Sequence, residues 1–317
     1  MIFDLDSDEA SRAALATNLG QAMSPLERRV FEDGECRLRP LADPRGDDVY
    51  VVQSLHGDAL QSPHDKLVAL CMFVATLLDH GAARVTAVVP YLAYARMDRR
   101  TRAFDPLGQR YVAQMIEAMG AAQVIVLEAH DVPALENAFR CPCVHVEAHV
   151  AFDDVAVSCT QAPLVIASPD AGGVKRALLW REHLEAHLRR DVGFAMLAKR
   201  RRDAALGGDD RVAGKVGGAT VLVLDDLICT GRTLVRAAHA LKREGASRIV
   251  ACAAHGLFVE GADQILGDPA IDAVVVGDSV RPFRVAASSP LHGKLTVVSC
   301  APLLARAIRD SHAAWRR

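Results

Sequence analysis

Aromatic residues are scarce in this chain, at 5%, and neither sign of charge prevails: 37 Lys plus Arg stand against 39 Asp plus Glu, a net of −2. The first scarcity means that the core must be built mostly from Ala, Val, Leu and Ile. The second removes any overall attraction for nucleic acid or an acidic membrane surface, so neither is expected as a partner. No stretch approaches the roughly 18 consecutive apolar residues that a membrane-spanning helix needs. The opening MIFDLDSDEASR carries acids where a secretory signal needs a basic region and an apolar run. The eight cysteines form no CxxC, and Cys141-Pro-Cys143 is too tight for a usual zinc knuckle. Scattered thiols in a chain long enough to build its own core fit a reducing compartment, so a soluble, cytoplasmic protein is expected, with the cysteines serving mostly as small buried apolar residues. Also absent are GxxxxGK[ST], GxGxxG and GxSxG, which leaves P-loop, dinucleotide and hydrolase-elbow chemistry without support.

What is present is ordinary globular material, 51% hydrophobic and 24% charged over 317 residues. At roughly 150 residues per domain that length suggests two domains. Apolar runs rich in Val, Ile and Leu predict strands at Val49–Gln53, Val85–Val89, Val124–Glu128, Leu164–Ala167, Val192–Leu197, Val221–Asp225, Ile249–Ala253 and Ala273–Val276. Helical periodicity predicts helices at Pro63–His80, Pro106–Met119, Val174–His187 and Thr233–Glu244. The stripe Leu107, Tyr111, Met115 and Met119 reads as a core face. Gly81, Gly120 and Gly245 each sit where a helix ends and wants a left-handed residue. Alternating β and α with nearly continuous apolar strands is the signature of an α/β fold whose parallel sheets are flanked by helices. The pattern runs once to about Glu147 and resumes near Leu164. Arg200–Gly218, rich in Gly, Asp and Arg, reads as an exposed loop, poorly ordered over about Arg202–Gly214.

The segment with the most specific chemistry is Val221–Thr233, VLVLDDLICTGRT. An apolar strand ends in Asp225-Asp226, and a short loop, Cys229 to Thr233, leads into a helix. Ligands of open α/β sheets bind beyond the carboxyl ends of the strands, and the N–H groups of a following helix suit a phosphate. Thr230 and Thr233 offer hydroxyls, Gly231 allows close backbone approach, and two carboxylates can accept hydrogen bonds from sugar hydroxyls. His145 and His149 have the four-residue spacing of helical metal ligands, but HVEAH is not HExxH and is read as structural.

This segment resembles the phosphoribosyl-diphosphate (PRPP) binding motif of the type I phosphoribosyltransferase superfamily. Six further segments narrow the resemblance to the ribose-phosphate pyrophosphokinase family. Phe31-Glu-Asp33-Gly34-Glu35 looks like its FxDGE, and Pro90-Tyr91-Leu-Ala-Tyr94-Ala-Arg96-Met97-Asp98-Arg99 like its PYxxYARQDR. Glu128-Ala-His130 stands at its D-x-H. Ser168-Pro169-Asp170-Ala-Gly172-Gly173-Val-Lys175-Arg176-Ala177 is close to its SPDxGGxxRA. Lys199-Arg200-Arg201 matches its KRR, and Ala254-His255-Gly256-Leu257-Phe258 its THGLF-like run. The order and spacing are kept from about Phe31 to Arg309.

The resemblance implies two tandem phosphoribosyltransferase-like domains, 1–148 on the ATP side and 149–301 on the ribose 5-phosphate side, with a last helix in 302–317 packing back on the first. It implies transfer of the diphosphoryl group of ATP to the 1-hydroxyl of ribose 5-phosphate, giving PRPP and AMP with Mg²⁺. By resemblance Phe31, Asp33, Glu35, Arg96, Asp98 and Arg99 serve ATP, and His130 and Asp170 hold Mg²⁺ or its waters. Asp225 and Asp226 hold the ribose hydroxyls, while Cys229, Thr230, Gly231, Arg232 and Thr233 hold the 5-phosphate. Lys199 and Arg201 clamp the transferring group, and a homo-oligomer, dimer or hexamer, is implied. The chain departs from the family pattern in several places. Cys229 and Arg232 replace Asp and Gly of DTGGT, Met97 replaces Gln, Ala198 replaces Asp, and Glu128 replaces Asp. Two alternatives therefore stand beside an active synthetase: a catalytically weak associated protein, and a diphosphokinase for a modified sugar phosphate.

Overall fold

The computed structural model describes residues 1–317 except 7, 160–161, 199–210, 260 and 317. Its contacts divide the chain into two compact units, Met1–Glu147 with Ser299–Arg317, and Ala148–Val298.

Unit 1 begins β1 (Ile2–Asp4), α1 (Glu9–Leu19), β2 (Leu26–Val30), β3 (Cys36–Pro40) and β4 (Asp48–Val52). It continues α2 (Pro63–Asp79), β5 (Arg84–Val89), α3 (Gly108–Ala118), β6 (Gln123–Leu127), α4 (Val132–Ala138) and β7 (Cys143–Val146). A five-stranded sheet runs β1-β4-β5-β6-β7, every pair parallel, while β2 and β3 form a separate antiparallel hairpin. The predicted strands of this unit, β4, β5 and β6, are buried over all or nearly all of their length, β4, DVYVV, throughout, as expected for a sheet covered on both faces. α2 starts where the sequence instructs it to: Ser62 caps the amide of Asp65, Asp65 caps that of Ser62, and Pro63 occupies the first turn. Phe3 of β1 meets Phe73 of α2 edge to face at 5.2 Å between ring centres. Gly81 and Gly120 follow α2 and α3 with φ of +85° and +94°.

One sequence expectation is corrected on α3. Tyr111, Met115 and Met119 are exposed, and the face turned to the core is Val112, Ala113 and Ile116. That face packs toward α4 and α2, and the stripe beside it is left outside.

Unit 2 opens with a 3-10 turn (His149–Phe152) and α5 (Asp153–Ser158), then β8 (Leu164–Ser168), α6 (Val174–Leu188), β9 (Gly193–Ala198), β10 (Arg211–Ala213) and β11 (Thr220–Ile228). α7 (Arg232–Arg243), β12 (Arg248–Gly256), α8 (Ala262–Leu266), β13 (Ala273–Gly277) and β14 (Leu295–Val298) complete it. The sheet order is β10-β9-β8-β11-β12-β13-β14, parallel except for the β10 edge. Strand alternation sends Val221 and Val223 into the cluster with Ala237, Leu241 and Val274, and Leu222 and Leu224 into the opposite cluster with Trp180 and Phe152. Each such Val or Leu, fully buried, contributes roughly 1.5–3 kcal/mol.

The loop expected over Arg202–Gly214 is corrected at its far end, and residues 202–210 lie outside the described residues. Arg211–Ala213 pair with Met196–Ala198 as β10, with Val212 packed against the core. Gly214 has φ +129°, and a Cβ there would meet the Phe194 carbonyl oxygen at 2.4 Å. The eight cysteines are thiols, not disulfides. Cys71, Cys159, Cys252 and Cys300 are buried and the other four half-buried, fewer than the sequence reading expected.

α9 (Ala301–Trp315) returns to unit 1, packing on α1, β6 and β7. His312 Nδ1 lies 2.7 Å from Asp48 Oδ2, and Asp48 also accepts from the Arg84 guanidinium at 2.7 and 2.8 Å and from the Tyr50 hydroxyl at 2.9 Å. Arg84 in turn sits over the Trp315 ring, 4.7 Å from its centre. Burial pushes the Asp48 carboxyl up, but the bonds from Arg84, His312 and Tyr50 outweigh it and hold the group below the ordinary range. No helix among the described residues is long and apolar enough to cross a membrane.

Candidate active site

In unit 2 the carboxyl ends of β8 and β11 adjoin. β8 ends at Ser168, whose hydroxyl donates to the Asp170 carbonyl at 2.7 Å. Asp170 Oδ1 accepts from the amides of Gly172 and Gly173 at 2.9 and 3.2 Å, so both bonds fall on one carboxylate oxygen. Gly173 must be small: a Cβ would meet Ser168 Oγ at 2.8 Å and come within 3.8 Å of the Leu224 carbonyl oxygen on β11.

Immediately after Leu224 come Asp225 and Asp226. Asp225 Oδ1 accepts from the Asp226 amide at 2.9 Å. Burial, and then the charge of Asp226, raise the Asp225 carboxyl well above its ordinary value, while Arg176 pulls the other way. Arg176 belongs to the Ser168–Ala177 motif but was not among the site residues expected from sequence. Its guanidinium lies 3.8 Å from Asp226 Oδ1. The motif alone did not reveal this partnership, because it depends on how α6 lies against β11.

The segment Cys229–Thr233 turns from β11 into α7. Gly231 caps the helix with φ +77°, and a Cβ on it would meet Leu266 of α8 at 2.6 Å, so glycine is required twice over. No side chain caps the helix start. Arg232, where glycine was expected by resemblance, is the first residue of α7, exposed and free of positive φ. The backbone freedom that the loop needs is supplied at 231, and the Cβ of Arg232 strains nothing.

In unit 1, Phe31, Asp33 and Glu35 form the turn of the β2–β3 hairpin. The Phe31 amide donates to the Glu35 carbonyl at 2.8 Å, and the Glu35 amide to Asp33 Oδ1 at 3.1 Å. Phe31 lies under the Arg29 guanidinium, 4.7 Å from its centre. The sequence predicts no hairpin here, because LERRV and CRLRP are short and half charged, without the apolar run that marks the central strands. Arg96, Asp98 and Arg99 share the β5–α3 loop, with Arg99 Nη1 3.8 Å from Asp98 Oδ2. Met97 packs where a Cβ on Gly108 would stand, at 2.8 Å from its Sδ.

His130 is exposed just beyond β6, after Glu128, which takes φ +42°. His145 and His149 part company: His145 Nε2 accepts from the Ala129 amide at 3.1 Å, whereas His149 is buried in unit 2 against His183. A charge cluster missed by the sequence reading stands at the ends of β1 and β4. There Lys66, 3% exposed, lies 2.8 Å from Asp58 and 3.5 Å from Asp6, and Asp6 also takes the Ser54 amide. Burial raises the Asp6 carboxyl despite the lysine. Lys199 and Arg201 lie outside the described residues. Among those described, no group of three or more His, Cys, Asp or Glu is arranged to hold a metal ion.

Comparison with known proteins accounts for both units. Residues 1–120 match the model of the N-terminal domain of ribose phosphate pyrophosphokinase, and residues 207–315 that of the phosphoribosyl synthetase-associated domain. The ribose-phosphate pyrophosphokinase of Hyphomonas neptunium is 33% identical over 304 residues, covering 93% of this chain and 91% of its own. That of Aquifex aeolicus is 33% identical, covering 96% and 93%. The crystal structure of phosphoribosylpyrophosphate synthetase from Mycobacterium smegmatis superposes with a TM-score of 0.85 at 28% identity, covering 99% of each chain. With two parallel α/β sheets, the acidic end of β11 and this chain-long kinship, the chain belongs to the ribose-phosphate pyrophosphokinase family of diphosphotransferases.

Proposed function

We propose that the protein transfers the diphosphoryl group of ATP to the anomeric hydroxyl of ribose 5-phosphate, giving PRPP and AMP, with Mg²⁺ as cofactor. The observation that carries the reading is the end of β11. Paired carboxylates, Asp225 and Asp226, lead within a few residues to the uncapped start of α7 at Gly231. Acceptors for hydroxyls beside donors for an anion suit a phosphorylated sugar. Thr230 and Thr233 would add hydroxyl donors, and Arg232 a charge-assisted contact to the 5-phosphate.

On the ATP side, Phe31 offers an apolar ring beside Asp33 and Glu35, and Arg96 and Arg99 offer charge to the phosphates. Asp170 fits a hard cation: its Oδ1 is held by two backbone amides, which leaves Oδ2 for Mg²⁺ or its waters. Exposed His130, in unit 1, would serve Mg²⁺ or one of its waters. Bound there, Mg²⁺ would neutralise charge on the phosphoryl oxygens. Lys199 and Arg201, by their place straight after β9, would hold the transferring group. Positioning and charge stabilisation would do most of the work. The unstrained helix start at Arg232 favours an active enzyme over a weak associated protein. The exposed face of Tyr111, Met115 and Met119 on α3 would be covered by a second copy, and the compartment would be the cytoplasm.

The test is incubation of the full chain with Mg²⁺, ATP and ribose 5-phosphate. AMP and PRPP should form in equal amounts; ADP in place of AMP, or no sugar-dependent turnover, would refute the reading. Lys199→Ala should lower kcat about 100-fold, about 3 kcal/mol, with little change in either KM. A rise confined to the ATP KM would make the lysine a docking contact.

A further inference from the structure

Arg176 of α6 is a cation that the fold sets against the carboxylates assigned to the sugar. Its Nη1 is 3.8 Å from Asp226 Oδ1, with the two side chains 12% and 6% exposed. Asp225 and Asp226 are consecutive, Asp226 buried and Asp225 half-buried, and Asp225 Oδ1 accepts from the Asp226 amide. Two carboxylates so placed repel each other, and one holds a proton unless a cation offsets the pair. A protonated carboxyl has lost acceptor capacity, and capture of two sugar hydroxyls requires acceptors.

We propose that Arg176 is a positioning residue for ribose 5-phosphate: held beside Asp226 by α6, it offsets the charge of the Asp225–Asp226 pair, favours its ionised form and holds it oriented to accept from two hydroxyls, without touching the sugar itself. The inference rests on the assignment of these carboxylates to the sugar. Among the described residues, other titratable groups at this end of the sheet include Asp170 before α6, Lys175 in its first turn, Cys229 after β11, Arg232 at the start of α7, Cys252 and His255 on β12, and Asp278 bridged to His255. His255 Nδ1 is 2.7 Å from Ser279 Oγ. β8 contributes none. All of these stay in place when Arg176 alone is changed.

The experiment is steady-state kinetics of the full chain from pH 6 to 9.5, with ribose 5-phosphate varied at saturating ATP and Mg²⁺. Arg176→Gln should raise the ribose 5-phosphate KM about tenfold near pH 7 and leave the ATP KM within about twofold. The acid limb of kcat/KM for the sugar should move up by about one pH unit, so that the penalty shrinks toward pH 9. Arg176→Lys should recover most of the loss. Asp226→Asn, which removes the repelling charge, should move the limb of the remaining carboxylate down. An unchanged sugar KM, or a penalty of equal size at every pH, would overturn the proposal, because a merely structural role moves no limb. If Arg176→Gln proves unfolded by circular dichroism, Asp226→Asn decides: a limb that fails to move down overturns the proposal. Calorimetric titration of ribose 5-phosphate into the same proteins separates the two assignments. An inactive wild type whose sugar affinity keeps the Arg176-dependent pH profile sinks the activity and sustains the inference. A wild type that binds no sugar sinks both.

Discussion

Gly231→Ala is the substitution on which the account of the phosphate loop can be broken. An L-residue in the left-handed region costs about 1–2 kcal/mol. The new methyl would also arrive 2.6 Å from Leu266 Cγ and 2.8 Å from its Cδ2, and Leu266 is fully buried in α8. Overpacking of this kind costs about 1–3 kcal/mol. Together that is about 2–5 kcal/mol, a large share of a typical stability of about 5–15 kcal/mol. Trp180 is buried in unit 2 and Trp315 belongs to unit 1, so in a Trp315→Phe background the indole fluorescence follows unit 2 alone. Urea unfolding read by that signal should show the loss as a lowered midpoint at constant slope. Leu266→Ala should itself cost about 2–5 kcal/mol. Combined with Gly231→Ala it should fall short of additivity by about 1–3 kcal/mol, because the overlap disappears while the φ penalty remains. A Gly231→Ala loss below about 1 kcal/mol, or strict additivity of the pair, would refute the reasoning.

Two further expectations are open to direct measurement. Arg232→Gly should raise the KM for ribose 5-phosphate about ten- to hundred-fold, from loss of a contact worth about 1.5–3 kcal/mol; an unchanged or lowered KM would show that the arginine makes no phosphate contact. Asp48→Asn should destabilise unit 1 by about 3–5 kcal/mol, because Arg84, only 10% exposed, loses its carboxylate. The Asp48 carboxyl is held below the ordinary value of 3.8, so its contribution is present above that pH and is lost as pH falls through the lower, folded value. The gap between wild type and Asp48→Asn should be constant from pH 6 to 8 and close below about pH 4; a gap that persisted in acid would contradict the sign.

The sheets were legible because their central strands are unbroken Val, Ile, Leu and Ala runs, which only a doubly covered sheet tolerates. The edges were not. β1 has three residues, β10 has one apolar residue that packs, and the β2–β3 hairpin is short, half charged and at most half-buried. On α3 the eye is drawn to Tyr111 and Met115, while the core is lined by the smaller Val112 and Ala113. The site shows the same division. Asp170, the two carboxylates and the glycine-capped loop announce themselves in short motifs, since each is a local backbone arrangement. Arg176 and Lys66 acquire their partners only through tertiary packing, and no spacing in the sequence encodes an ion pair between α6 and β11 or between α2 and the end of β1.

α9 gives the chain an order of assembly. Unit 1 is interrupted in sequence by all of unit 2, and its last helix emerges from the ribosome only after residue 298. Until then Asp48, Tyr50 and Arg84 lack the His312 and Trp315 that cover them in the finished unit. Unit 2 is contiguous and can close on itself during synthesis, whereas the unit made first finishes last. A nascent chain arrested between the two units therefore carries an unsealed polar seam, and early termination is marked by an incomplete N-terminal half.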